Sequence, residues 1–66
     1  MKTYEYTADR GGWYTRCGLV QAHSLTSAYG AAKDLLREGE VLRGISELTP
    51  EQAELALEAE VVEAYA

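Results

Sequence analysis

His23 and Cys17 are the chain's one histidine and one cysteine, the side chain types that most often shuttle protons, attack carbonyls or hold metals. Neither has a partner at the spacing such chemistry needs. No second ligand stands at metal-binding distance from His23, so it reads as a strand-end or loop residue. Cys17 falls mid-strand with no histidine at a recognisable spacing, which reads as a buried apolar thiol. The glycines of "RGGWYTRCG" are not followed directly by a helix, as a phosphate-binding loop requires. No catalytic, metal or cofactor site is expected, and the chain is not read as an enzyme. Tyr4, Tyr6 and Trp13 could stack nucleobases on a sheet face. A helix packed over the same face accounts for them without a ligand.

The remaining chemistry is charge. Residues 1 to 46 hold six bases (Lys2, Arg10, Arg16, Lys33, Arg37, Arg43) and five acids (Glu5, Asp9, Asp34, Glu38, Glu40). Glu47, Glu51, Glu54, Glu58, Glu60 and Glu63 follow with no base among them, giving a net charge of −5. A near-neutral body thus ends in an acidic segment. The scattered bases offer no groove for phosphates, so direct binding of nucleic acid is not expected.

These residues must be positioned by a small number of elements, because 66 residues make one small domain near the lower size limit for a self-sufficient core. "KTYEYTA" alternates with the period of a strand, "DRGG" reads as a turn, and "WYTRCGLVQA" as the returning strand. Placing Ala8 opposite Trp13 puts Tyr4, Tyr6, Trp13, Cys17 and Leu19 on one face and sets Glu5 across from Arg16. In "HSLTSAYGAAKDLLREG", Leu25, Ala28, Tyr29, Ala32, Leu35 and Leu36 form one helical stripe, with Ser24 as N-cap and Gly39 as terminator. "EVLRGISEL" reads as a third strand, with Val41 and Ile45 on one side and Leu42 and Leu48 on the other. Thr49-Pro50-Glu51-Gln52 is a capping box with proline at the first helical position, and it predicts a helix over 50–66. The expected fold is α+β: a three-stranded antiparallel sheet in the order ββαβα, with a 1–48 body and an acidic 49–66 helix.

On that helix Ala53, Leu57, Val61 and Ala64 form a docking stripe beside a ridge of Glu51, Glu54 and Glu58, with Leu55 and Val62 beyond it. Glu60 and Glu63 project from the far side and oppose the helix dipole. A helix selected only for stability would mix in bases to relieve Glu54–Glu58 repulsion.

In length, acidity and the helix "TPEQAELALEAEVVEAYA", the chain resembles the small acidic inhibitors that phages encode against host defence, the anti-CRISPR and anti-restriction proteins, some of which imitate DNA. The resemblance is one of type, without a shared motif. It implies a non-enzymatic inhibitor that covers the basic nucleic-acid-binding surface of a partner protein, engaged through Glu47, Glu51, Glu54, Glu58, Leu55 and Val62. Five glutamates over residues 50 to 66 give about one charge per 5 Å of helix, whereas duplex DNA carries one per ~1.7 Å. Glu38, Glu40 or Glu47 would have to extend the surface. The alternative is a structural or regulatory subunit associating through Leu55, Val62 and Tyr65, and a third reading is nucleic-acid binding by the aromatic sheet. With an unpaired cysteine and no apolar run of about 20 residues, a cytoplasmic monomer or weak homodimer, without membrane contact, is expected.

Overall fold

The computed structural model describes residues 1–66. In chain order the elements are β1 (Lys2–Asp9), β2 (Thr15–Ala22), α1 (Leu25–Asp34), β3 (Val41–Glu47), α2 (Pro50–Ala59) and β4 (Val62–Tyr65). They form an α+β fold with one four-stranded mixed sheet in the order β3-β1-β2-β4. β1 is antiparallel to both β2 and β3, and β4 runs parallel to β2. The fold differs from a three-stranded antiparallel ββαβα domain because the acidic segment is not one helix. Glu60 takes extended backbone angles (φ −133°, ψ 155°) as the C-cap of α2, and the residues after it pair with β2. β-branched Val61 and Val62 favour a strand there, and glutamates near a helix C-terminus favour ending it.

The β1–β2 register is displaced by three residues from the expected one. Ala8 faces Arg16, Tyr6 faces Gly18, Tyr4 faces Val20 and Lys2 faces Ala22. The turn includes Trp13 and Tyr14 as well as the glycines. Gly11 and Gly12 hold φ of 77° and 91°, and the Gly12 amide donates to Asp9 Oδ1 at 3.2 Å. An odd displacement exchanges the faces of β2. Trp13 is therefore 82 % exposed at the hairpin tip, Cys17 is an exposed thiol, and Leu19 is fully buried on the face opposite Tyr4 and Tyr6. Glu5 lies across from Leu19, not Arg16.

The core consists of Tyr4, Tyr6, Ala8, Val20 and Ala22 from the sheet against Ala28 and Ala32 of α1. Alanines on the helix let it approach the two tyrosine rings closely. Ser24 caps α1 as expected, accepting from the Ser27 amide at 3.2 Å. Leu25 and Tyr29 of the expected stripe remain about half exposed, and α1 ends before Gly39, whose φ of 83° serves the following turn. A bulge opposite Thr7 and Ala8 places Leu42 and Ile45 on the core face together and leaves Val41 exposed.

β2, β3 and β4 are mutually parallel, so α1 and α2 are both crossover helices. α1 carries the chain from β2 outward to β3, and α2 carries it back across the sheet to β4. Right-handed crossovers in opposite directions put their helices on opposite faces. Burial of Leu19 and Thr3 on the face away from α1 agrees. α2 nevertheless buries none of its own residues.

The Thr49 capping box is present in full: Thr49 Oγ1 accepts from the Gln52 amide at 3.2 Å, and Gln52 Oε1 accepts from the Thr49 amide at 3.0 Å. Thr49→Ala removes the first bond and costs α2 about 1 kcal/mol. Since α2 buries none of its own residues fully, circular dichroism is expected to lose helical signal locally. The Tm should fall by less than the roughly 4 °C that a fully coupled 1 kcal/mol would produce.

Candidate functional site

Two polar assemblies organise the surface chemistry, and one of them lies inside the fold. Arg16, on the core face of β2, binds Glu40 with both ends of its guanidinium: Nη2 to Oε1 at 2.8 Å and Nε to Oε2 at 3.1 Å. Its Nη1 donates to the Tyr6 hydroxyl at 2.7 Å, and Nη2 also reaches the Leu35 carbonyl at 3.2 Å. The Glu40 side chain is wholly enclosed, and its Oε1 also accepts from the Arg37 amide at 2.8 Å. Glu63 of β4 completes the group: its Oε1 accepts from the Tyr6 hydroxyl, and its Oε2 stands 3.6 Å from Arg16 Nη1. Arg16, then the Arg37 amide, hold the Glu40 carboxyl down to about 2. Glu40 in turn raises Arg16. Burial first, then the Glu63 carboxylate, push the Tyr6 hydroxyl above its ordinary range.

Gly18 makes this arrangement fit. A Cβ there would lie 2.6 Å from two atoms of the Tyr6 ring and would overlap Glu63 Oε1. A glycine inside a strand marks such a close approach. No buried side-chain nitrogen or oxygen lacks a hydrogen-bond partner, so the cluster is internally satisfied and ties β1, β2, β4 and the α1–β3 connection together.

A second pair rigidifies the hairpin tip. Arg43 Nε donates to Asp9 Oδ2 at 2.6 Å, and this contact chiefly lowers the Asp9 carboxyl. Arg10 lies over the Tyr14 ring at 5.3 Å. Trp13 projects beyond them.

The other assembly is the outer side of α2. Glu51, Glu54, Leu55 and Glu58 recur at helical spacing, all exposed, with Leu55 68 % exposed. None of these three carboxylates takes part in a salt bridge, whereas Glu47 stands 3.9 Å from Lys2. Val62 is not part of this side. It lies half-buried in β4 opposite Leu19, so it cannot join Leu55 on a helical face. Ala64 likewise belongs to the sheet, Glu60 is the cap, and Glu63 points into the Arg16 cluster. His23 is exposed beyond β2. No group of three or more His, Cys, Asp or Glu side chains is placed to hold a metal ion, and no helix is long and apolar enough to cross a membrane. A shallow groove of about 470 Å³ runs between α1 and β4, lined by Ala31, Leu35, Ala64 and Tyr65 among others.

No protein-family model, curated protein or solved structure matches this chain. Function must therefore be argued from its own surface. The Arg16 cluster is hidden from the sequence because pairing Ala8 with Trp13 would put Arg16 on the face away from Tyr6, whereas Ala8 pairs with Arg16 itself. Gly18 was the available signal: a strand-interior glycine between Cys17 and Leu19 asks what approaches it.

Proposed function

We propose that the chain is a non-enzymatic binding protein whose acidic α2 surface covers a basic, nucleic-acid-binding surface of a partner protein, in the manner of the small phage inhibitors it resembles. One observation carries this reading. Glu51, Glu54 and Glu58 stand exposed and unpaired on a helix with no buried residue, while five of the six bases are occupied elsewhere. Lys2, Arg16 and Arg43 are in ion pairs, and Arg10 and Lys33 lie over tyrosine rings. The negative side is thus left to act outward, where it would speed encounter with a basic partner and repel phosphates. Leu55, among the glutamates, supplies an apolar anchor.

The surface is a sparse imitation of DNA. α2 is ten residues long, about 15 Å, so its three ridge charges stand roughly 5 Å apart against ~1.7 Å in a duplex. Glu47 lies next to the helix start, but its ion pair with Lys2 offsets its charge, so the ridge rests on Glu51, Glu54 and Glu58. Charge complementarity with apolar anchoring fits this spacing better than a close copy of a phosphate ladder.

Changing Glu51, Glu54 and Glu58 together to glutamine tests the proposal. Gln retains good helix propensity, and relief of Glu54–Glu58 repulsion holds or slightly raises stability. Binding to a basic nucleic-acid-handling protein, measured by calorimetry across a salt series, is expected to weaken at least about ten-fold at low salt and to lose its salt dependence. If Leu55→Ala abolishes association while the triple variant binds as wild type, the apolar subunit reading replaces this one. Tight, salt-sensitive binding of the wild type to RNA or single-stranded DNA would reject both.

A further inference from the structure

The buried core is made entirely of residues between Tyr4 and Ala32, and the later segments reach it only at its margin, through Leu35, Leu36, Leu42, Ile45 and Ala64. From Thr49 onward the chain is attached by little: α2 buries no residue, and β4 is four residues long, pairing with β2 through an irregular register. Beyond the β2–β4 ladder, its polar ties are the Ala66 amide on the Gln21 carbonyl at 2.8 Å and the Glu63 carboxylate on Tyr6 and Arg16, and its apolar ties run through the half-buried Ala53, Ala56, Val62 and Ala64. Without β4, the remaining elements still form a three-stranded sheet, β3-β1-β2, with α1 across it.

We infer that residues 49–66 form an arm that detaches as a unit, latched by Glu63, and that the β2 edge it uncovers accepts the same arm from a second copy of the chain. β2 then presents unpaired backbone groups and Leu19, which is fully buried in the closed form, an edge that demands a strand. The strand that fits must carry a carboxylate above Gly18, where a Cβ would collide with it, and a small residue beside Val20, where Ala64 now pairs. An identical arm meets both demands, and exchange of identical elements needs no new interface. The hinge is Leu48–Thr49, between the Leu48 amide bond to the Thr3 carbonyl at 2.9 Å and the first turn of α2. The dimer carries two acidic helices, one from each chain.

Closed and exchanged forms share every arm contact, so Glu63 controls the rate of interconversion and not its end point. A chain's own arm competes at an effective concentration on the order of millimolar, so dimer accumulates toward that range. The test uses the full chain. Hydrogen exchange on the wild type is expected to show the amides of β4 and the β2 edge opening before those of β1. Glu63→Gln keeps an acceptor for Tyr6 but removes the charge facing Arg16, and should accelerate that opening about ten-fold or more. When ¹⁴N and ¹⁵N preparations at about 1 mM are mixed, native mass spectrometry should find mixed dimers forming faster in the variant by a similar factor, with an unchanged final dimer share. Arm and β1 amides exchanging at one common rate would overturn detachment. Monomer alone at that concentration, or dimers whose mixing rate ignores Glu63, would overturn the second copy as occupant.

Discussion

Arg16→Met is expected to lower the Tm by roughly 15 °C or more, the response to leaving one member of an enclosed ion pair without its partner in a domain of this size. Methionine fills much of the volume, so the loss is electrical. Glu40 is left with a fully enclosed carboxylate, and the Tyr6 hydroxyl and Leu35 carbonyl lose a donor. A second change separates charge from packing. In Arg16→Met/Glu40→Leu the orphaned charge is gone, and thermal melts should recover part of the loss. Recovery stays partial because the Arg37 amide loses its acceptor. If Arg16→Met melts with the wild type, the cluster has no structural weight. The same pair sets a pH window. Glu40's carboxyl is lowered by folding, so its stabilisation is complete above its unfolded range near 4.5 and drains away as pH falls toward about 2. Tyr6 is raised, so its contribution is complete below 10 and lost as pH rises through its higher folded value.

Gly18→Ala is expected to be comparably damaging although it adds one methyl group. The new Cβ would meet the Tyr6 ring at 2.6 Å, and Tyr6 is fully buried with no room to retreat. Glu63 could swing into solvent, but the ring cannot. Overpacking of this kind costs about 3 kcal/mol, a Tm loss of roughly 12–24 °C at this size. Combining it with Tyr6→Leu, which removes the colliding ring atoms, should make the alanine's own cost fall below about 1 kcal/mol. An unchanged cost in that background would mean the clash lies elsewhere.

Signals that act over three or four residues were legible in the sequence, and those that depend on distant pairing were not. Ser24 and Thr49 cap their helices as their side chains and spacing require, and the alternation of "KTYEYTA" became β1. The register failed because a glycine pair marks where a turn begins without fixing its length, and Trp13 looked like a strand residue when it is a loop residue. β4 failed for a different reason. Ala53 and Leu57 fit a helical period that also accepts Val61 and Ala64, and nothing local reveals that Val62–Tyr65 can pair with β2, some forty positions earlier. Of the expected contact residues, Glu51, Glu54, Glu58 and Leu55 share one exposed helical side, while Val62 was lost with the mistaken helix length.

The order of strands across the sheet also has a meaning in time. A ribosome makes β1 and β2 first, and these become the interior strands; β3, made later, closes one edge, and β4, made after it, closes the other. At about 5–20 residues per second, the interval between completing β2 at Ala22 and reaching Tyr65 is a few seconds. Throughout it, Leu19 and the open β2 edge are shielded only by what the nascent chain or its surroundings provide. Vectorial synthesis thus leaves the β2 edge as the last of the sheet's two edges to be covered.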